Sequence, residues 1–290
     1  LDSTMMTTIW SGLTVGSVYG LVAIGYTLTF IGCAAFNFAQ ASLVMVGVYG
    51  AYLGLQSWHL PVLAVIVLGG GFVAILSVAV ERLAIAPVRS HDAMLITTVG
   101  AATIIDGIAQ QISGSQPLMV PFFTGNAPST VLGGRVLPVQ IWLIALVLVI
   151  GIGLAVFTRR TLHGKAGLAV SADKDAARLY GISTRKYAIG TFLLAGLLAG
   201  VMGVFVAPIT TAFSTLSSEI ALKGFVALAF GGFGSFAGAT VGGLVVGLVE
   251  AFAARYLGAN YQTLTVFALL LATLLLLPSG IFGRARTRTV

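Results

Sequence analysis

The sequence predicts an all-α fold: a polytopic membrane helix bundle of about nine crossings, within a range of eight to ten, with a short amphipathic helix on its main polar loop. Three observations carry this expectation. Of 290 residues, 58% are hydrophobic and 8% charged, with a mean hydropathy of +1.05. Soluble domains carry about 25% charged residues, so most of this surface cannot face water. The apolar residues fall in runs near the roughly 20 needed for a helix to cross hydrocarbon. The 37 glycines fit close helix packing, because lipid gives helices no hydrophobic drive to associate and contact must come from small side chains.

The runs cover residues 6–31, 38–55, 60–80, 94–112, 138–157, 187–208, 218–230, 237–254 and 263–277. The seventh is short and broken. Small residues recur at i, i+4 spacing in Gly12, Gly16 and Gly20, in Gly196 and Gly200, and in Gly234, Gly238 and Gly242. That spacing stacks them on one helix face.

Twelve of the fifteen Lys and Arg residues lie in three polar segments, 81–92, 159–186 and the tail with Arg284, Arg286 and Arg288. The positive-inside rule puts all three in the cytoplasm. Segment 113–137, with Pro117, Pro121 and Pro128, then forms an ordered external loop. Parity requires 218–230 to cross, or the arginine tail would end outside. The N-terminus is therefore expected outside and the C-terminus inside, with residues 1–290 a single transmembrane domain. The first basic residue is Arg82, so no charged leader is expected, and Leu1 leaves room for a few residues upstream.

The cytoplasmic segment 159–186 is too long for a turn and too polar for a span. Its centre reads as a helix from Ser171 to Tyr180. Ser171 would cap it, Asp173 and Asp175 fall in the first turn, Arg178 lies near the far end and Gly181 suits the position after it. Ala176, Leu179 and Tyr180, at i, i+3 and i+4, form a small apolar face. A helix this short is marginal in water and must dock, against the membrane and bundle or against a partner protein.

Polar groups within spans mark pairs or pathways. Glu219 and Lys223 sit at i, i+4, either neutralising each other or bordering a route at its outer end. Asp106 has no basic neighbour in sequence and either accepts hydrogen bonds from another helix or touches a solute. Glu250 and Arg255 read as an interfacial pair. Asn37, Gln40 and Ser42 either satisfy backbone freed by a helix break or line the route. The single Cys33 cannot form an internal disulfide, and His59, His91 and His163 lie too far apart to hold one metal. With no G-x-x-x-x-G-K-[ST] and no H-E-x-x-H, the chain carries no catalytic, cofactor or metal site of its own. Its basic residues lack the aromatic interleaving of a nucleic-acid binder.

Several stretches, in order along nearly the whole chain, resemble the permeases of bacterial ATP-binding-cassette importers of the branched-chain amino acid (LivH) type. Gly164-Lys165-Ala166, Ala172-Asp173 and Ala176-Ala177-Arg178-Leu179-Tyr180-Gly181-Ile182 are similar to the family's "EAA-type" loop. Residues 12–19 and 23–27 resemble its opening span, and Phe36-Asn37-Phe38-Ala39-Gln40 its "NFAQ" signature. Glu81-Arg82 and Ala86-Pro87-Val88-Arg89 resemble its first cytoplasmic loop. Residues 231–235 with Gly238-Ala239 resemble its Gly-rich turn, and 277–284 its C-terminal end.

The resemblance implies a subunit of the bacterial inner membrane that passes branched-chain or related apolar amino acids by alternating access. It implies that Ala172, Asp173 and residues 175–181 dock on a separate ATPase, which uses ATP and Mg. The implied partners are a second homologous permease, two ATPase subunits and an external solute-binding protein. Importers of urea or short amides belong to the same family, and composition alone also suits a stand-alone channel or secondary transporter.

Overall fold

The computed structural model of the chain describes residues 3–88, 90–113, 118–120, 122, 125, 127–131, 133–210 and 216–283. Arg89, Pro117, Pro121 and the arginines of the tail, Arg284, Arg286 and Arg288, lie outside the described residues. The helices are α1 (Ser3–Cys33), α2 (Gln40–Tyr52), α3 (Val62–Val80), α4 (His91–Ser113), α5 (Pro138–Arg160) and α6 (Leu162–Ala172). They continue as α7 (Lys174–Leu179), α8 (Thr184–Thr210), α9 (Leu216–Gly231), α10 (Phe236–Tyr256) and α11 (Gln262–Leu276). Each of the nine apolar runs became a helix, and single π-helical turns extend α2 through Leu53–Ser57 and α3 through Glu81–Ile85.

The result is an all-α polytopic membrane bundle with one small addition. Within 113–137, strands β1 (Ser129–Val131) and β2 (Gly134–Val136) pair antiparallel, Thr130 opposite Arg135. The hairpin rests on the start of α1, where the Trp10 indole Nε1 donates to Val131 O at 3.3 Å.

Among the described residues, seven helices are long and apolar enough to cross a membrane, against the nine expected. The other two expected spans are α2, 13 residues before its π turn, and α9, 16 residues. At about 1.5 Å per residue, 16 residues reach roughly 24 Å against a hydrocarbon core of about 30 Å.

The core forms around α1, which is buried almost continuously from Gly12 to Cys33. Its glycine face meets α10: a Cβ on Gly16 would stand 2.7 Å from Gly243 O. A second close-packed axis is α8. A Cβ on Gly200 would stand 2.7 Å from Gly69 O on α3, and one on Gly47 of α2 would stand 2.7 Å from Ala199 O. Backbone contact this close spreads dispersion attraction over the whole interface, the attraction available to helices in lipid. The expected ridge through Gly234 is corrected. Gly234 (φ +76°) belongs to the turn before α10, which Ser235 caps by accepting from Gly238 N at 3.1 Å. Of these three glycines, Gly238 and Gly242 lie on α10, against Gly231 and Ala227 of α9.

The bundle has two distinct ends. One carries α6, α7, the α1–α2 connection and residues 278–283, which bond to the end of α9 through Ile281 N to Phe230 O and Phe282 N to Gly231 O, both 2.9 Å. The other carries the hairpin, the start of α1 and the end of α10, joined by a bond from Arg255 to Thr8 Oγ1 at 2.9 Å.

Candidate coupling surface and buried polar sites

Segment 159–186 forms two helices where one was expected over 171–180. α6 ends at Ala172, and Asp173 turns extended (φ −152°, ψ 110°). Asp173, and not Ser171, caps α7: its carboxylate Oδ1 accepts the N–H groups of Asp175 and Ala176, each at 2.9 Å. The reason is geometric, since Ser171 is still helical and its hydroxyl donates back to Leu168 O at 2.9 Å. Gly181 (φ +79°) closes the helix. Its N–H reaches Arg178 O and that of Ile182 reaches Ala177 O, a Schellman motif that only a residue tolerant of left-handed backbone closes without strain.

The apolar face of α7 also differs from the expected one. Ala177 is turned inward and buried, and Ala176 is half-buried. Leu179 and Tyr180 are 89% and 87% exposed, with Ala172, Asp173, Asp175, Arg178 and Gly181 exposed beside them. Arg178 bridges to Asp175 Oδ1 at 3.0 Å and to Thr184 Oγ1 at 3.1 Å, so α7 is tied directly to the first residue of α8.

The polar residues expected to mark pairs or a pathway form three separate groups among the described residues. Asn37, Gln40 and Ser42 are fully buried where α1 gives way to α2. Asn37 Oδ1 accepts from Ala39 N at 3.1 Å, satisfying backbone at the break, and Gln40 Nε2 donates to Ala195 O of α8 at 3.1 Å. Asn37 Nδ2 and Gln40 Oε1 have no hydrogen-bond partner among the described residues.

Asp106, half-buried on α4, accepts a hydrogen bond from Ser217 Oγ of α9 at 2.8 Å.

The third group corrects two expected pairs. Lys223 bonds to Glu250 at 2.6 Å, and Glu219 is exposed and makes none of the ion pairs among the described residues. Glu250 is not paired with Arg255 but also accepts the Tyr19 hydroxyl at 2.7 Å. The Tyr19 ring lies 5.6 Å from the Lys223 ammonium, so α1, α9 and α10 meet in one charge-compensated cluster. Sequence reasoning missed Tyr19 and Glu250 here. The available signal was spacing: Gly243, Gly247 and Glu250 stand at i, i+4 and i+7, so Glu250 shares the face that packs on α1.

A cavity of about 1080 Å³ opens at the α7 end. Its walls include Ser171, Ala172 and Lys174 from the α6–α7 segment, Phe30 and Phe36 near the α1–α2 break, and Phe282.

A multi-pass bundle with a buried Lys223–Glu250 pair, a cavity of about 1080 Å³ at one end and an exposed amphipathic helix beside it defines a class, the transport permeases. The chain belongs to the family described as "Branched-chain amino acid transport system / permease component", whose model matches residues 8–277. It is 28% identical to the high-affinity branched-chain amino acid transport system permease protein LivH of Escherichia coli (strain K12), across 97% of this chain and 96% of that one. It is 30% identical to the corresponding protein BraD of Pseudomonas aeruginosa, again across 97% and 96%. In fold it is similar to a chain of PsaBC from Streptococcus pneumoniae in complex with Fab, with a TM-score of 0.50 and 15% identity, covering 94% of this chain and 92% of that one. The chain is thus a multi-pass membrane permease component of an importer system.

Proposed function

We propose that the chain crosses the membrane nine times and passes branched-chain or related apolar amino acids inward, driven by a separate ATPase bound at α7. The short helix α9 counts as a crossing because the positive-inside rule needs it to keep segment 159–186 and the tail on one side, and α2 counts because its apolar run continues through the π turn to Ser57. The α7 end then faces the cytoplasm, and the hairpin end faces outside. The names of the similar LivH and BraD proteins support the amino-acid substrate.

One observation carries the coupling role. Leu179 and Tyr180 protrude almost fully from a helix that is capped at both ends and bonded to α8. A capped helix this short gains little by itself, and two large exposed apolar side chains on it favour a protein groove as their partner. Force applied at α7 reaches α8 through Arg178–Thr184, then α3 and α2 through the glycine contacts of Gly200 and Gly47. Alternating access would follow as ATPase closure biases two arrangements of these helices. A second homologous permease and two ATPase subunits would complete the assembly. An external solute-binding protein would dock on surfaces that include 113–137.

In membranes containing the assembled transporter, a Leu179→Asp, Tyr180→Asp double variant should lose at least tenfold of its ATP-driven uptake while remaining in the membrane. ATP hydrolysis would persist uncoupled, or the ATPase would no longer co-purify. Uptake at the unchanged rate overturns the coupling role.

A further inference from the structure

The connection between α1 and α2, residues 34–39, is non-helical yet largely buried: Ala35, Asn37 and Ala39 are 3%, 0% and 0% exposed. Irregular backbone buried in a membrane bundle persists where protein covers it or where it lines a cavity. Both conditions meet here, since Ala34, Ala35 and Phe36 form part of the wall of the 1080 Å³ cavity. Ala34 also holds a left-handed backbone (φ +55°), a conformation costly for a residue with a Cβ and kept only where the surroundings impose it.

What surrounds it is aromatic. Phe36 stacks on Phe30 of α1 at 5.0 Å and leans on Phe233 of the α9–α10 turn at 5.3 Å. It meets Phe225 of α9 edge-on at 6.1 Å. Phe225 in turn contacts Phe38 at 5.8 Å, and Phe38 contacts Tyr26 at 6.1 Å. Six rings from four segments thus form one continuous layer. Phe30, Phe36 and Phe233 border the cavity, whereas Phe38, Phe225 and Tyr26 do not. On the far side of the layer, Tyr19 and its Lys223–Glu250 partners lie seven residues up α1 from Tyr26, about 10 Å along a helix.

We propose that this layer is the cytoplasmic barrier of the solute route, with Phe36 as the ring whose displacement opens it. The proposal deepens the transport reading and rests on it for the route, but it concerns residues that reading does not assign. Rings at centroid separations of 4.5–7 Å hold one another by dispersion and quadrupole contacts of about 0.5–1.5 kcal/mol per pair, enough to close a passage and weak enough to part. Their faces accept an aliphatic side chain, whereas a bare charge would lose its hydration there. The cavity's walls also include Ser171 and Ala172 of α6 and Lys174 of α7, so displacement of α7 reshapes the space into which Phe36 would swing.

The test uses inside-out membrane vesicles holding the assembled transporter in a Cys33→Ser background, with a membrane-impermeant methanethiosulfonate. Phe233→Cys, on the cavity wall, should react at least tenfold faster than Phe38→Cys, and adding Phe36→Ala should remove that protection. Equal rates for the two single variants overturn the barrier, as does persistent protection of Phe38→Cys beside Phe36→Ala. In reconstituted vesicles Phe36→Ala should also leak radiolabelled leucine without nucleotide, an effect that loss of packing alone would not produce. If leucine is not carried while the thiol pattern holds, the amino-acid reading fails and the barrier stands.

Discussion

The Lys223 ammonium stands 2.6 Å from the Glu250 carboxylate, joining α9 to α10 inside the bundle, and the Tyr19 hydroxyl of α1 holds the second carboxylate oxygen at 2.7 Å. The Lys223 and Glu250 side chains are 13% and 9% exposed, so each charge depends on the other for compensation. Removing one leaves the other buried and unpaired, which costs about 3–5 kcal/mol. Lys223→Met or Glu250→Leu alone should therefore sharply lower the melting temperature of the detergent-solubilised protein. The double variant should recover most of the loss. If Glu219→Gln did the same damage as Glu250→Leu, the pairing would be misassigned.

Close packing gives a contrast within one helix pair. A Cβ on Gly200 meets backbone at Gly69 and Gly70, whereas a Cβ on Gly69 or Gly71 meets nothing within 4 Å. Gly200→Val should push α8 off α3 and cost about 1–3 kcal/mol or more, read as reduced yield and thermal stability. Gly71→Ala should be neutral or should stabilise by roughly 0.5–1 kcal/mol, because it only restricts the unfolded chain.

At α7 the cap decides the geometry. Asp173→Ala leaves the N–H groups of Asp175 and Ala176 without their acceptor, a loss of about 1 kcal/mol. On a six-residue helix that suffices to fray it. Coupled uptake should fall severalfold for Asp173→Ala and be largely retained for Asp173→Asn, which keeps an acceptor. Ser171→Ala should transport normally, since the Ser171 hydroxyl caps nothing.

Among the described residues, Asp106 accepts one hydrogen bond, from Ser217, on one carboxylate oxygen, and its other oxygen has no partner. Ser217→Ala removes the one donor and should cost about 1–3 kcal/mol. Ser217→Thr, which keeps the hydroxyl, should be closer to the parent. Thermal unfolding of the two purified variants separates them.

The membrane class, the positions of all nine apolar helices and the clustering of basic segments were legible in the residues alone. Each depends on local quantities, namely the length of an apolar run and the charges at its ends. The sequence also located the polar loop and foresaw Gly181 as its left-handed closing residue, because helix termination is chosen by the residues at the terminus. Tertiary structure alone decided which charges meet. Glu219 and Lys223 looked paired at i, i+4, yet Lys223 reaches Glu250, 27 residues away, because α9 turns Lys223 toward α1 and α10 and leaves Glu219 exposed. The aromatic layer has the same origin, since its rings come from α1, the α1–α2 connection, α9 and the α9–α10 turn. An ion pair or a ring stack forms wherever packing places its partners, whatever their spacing along the chain.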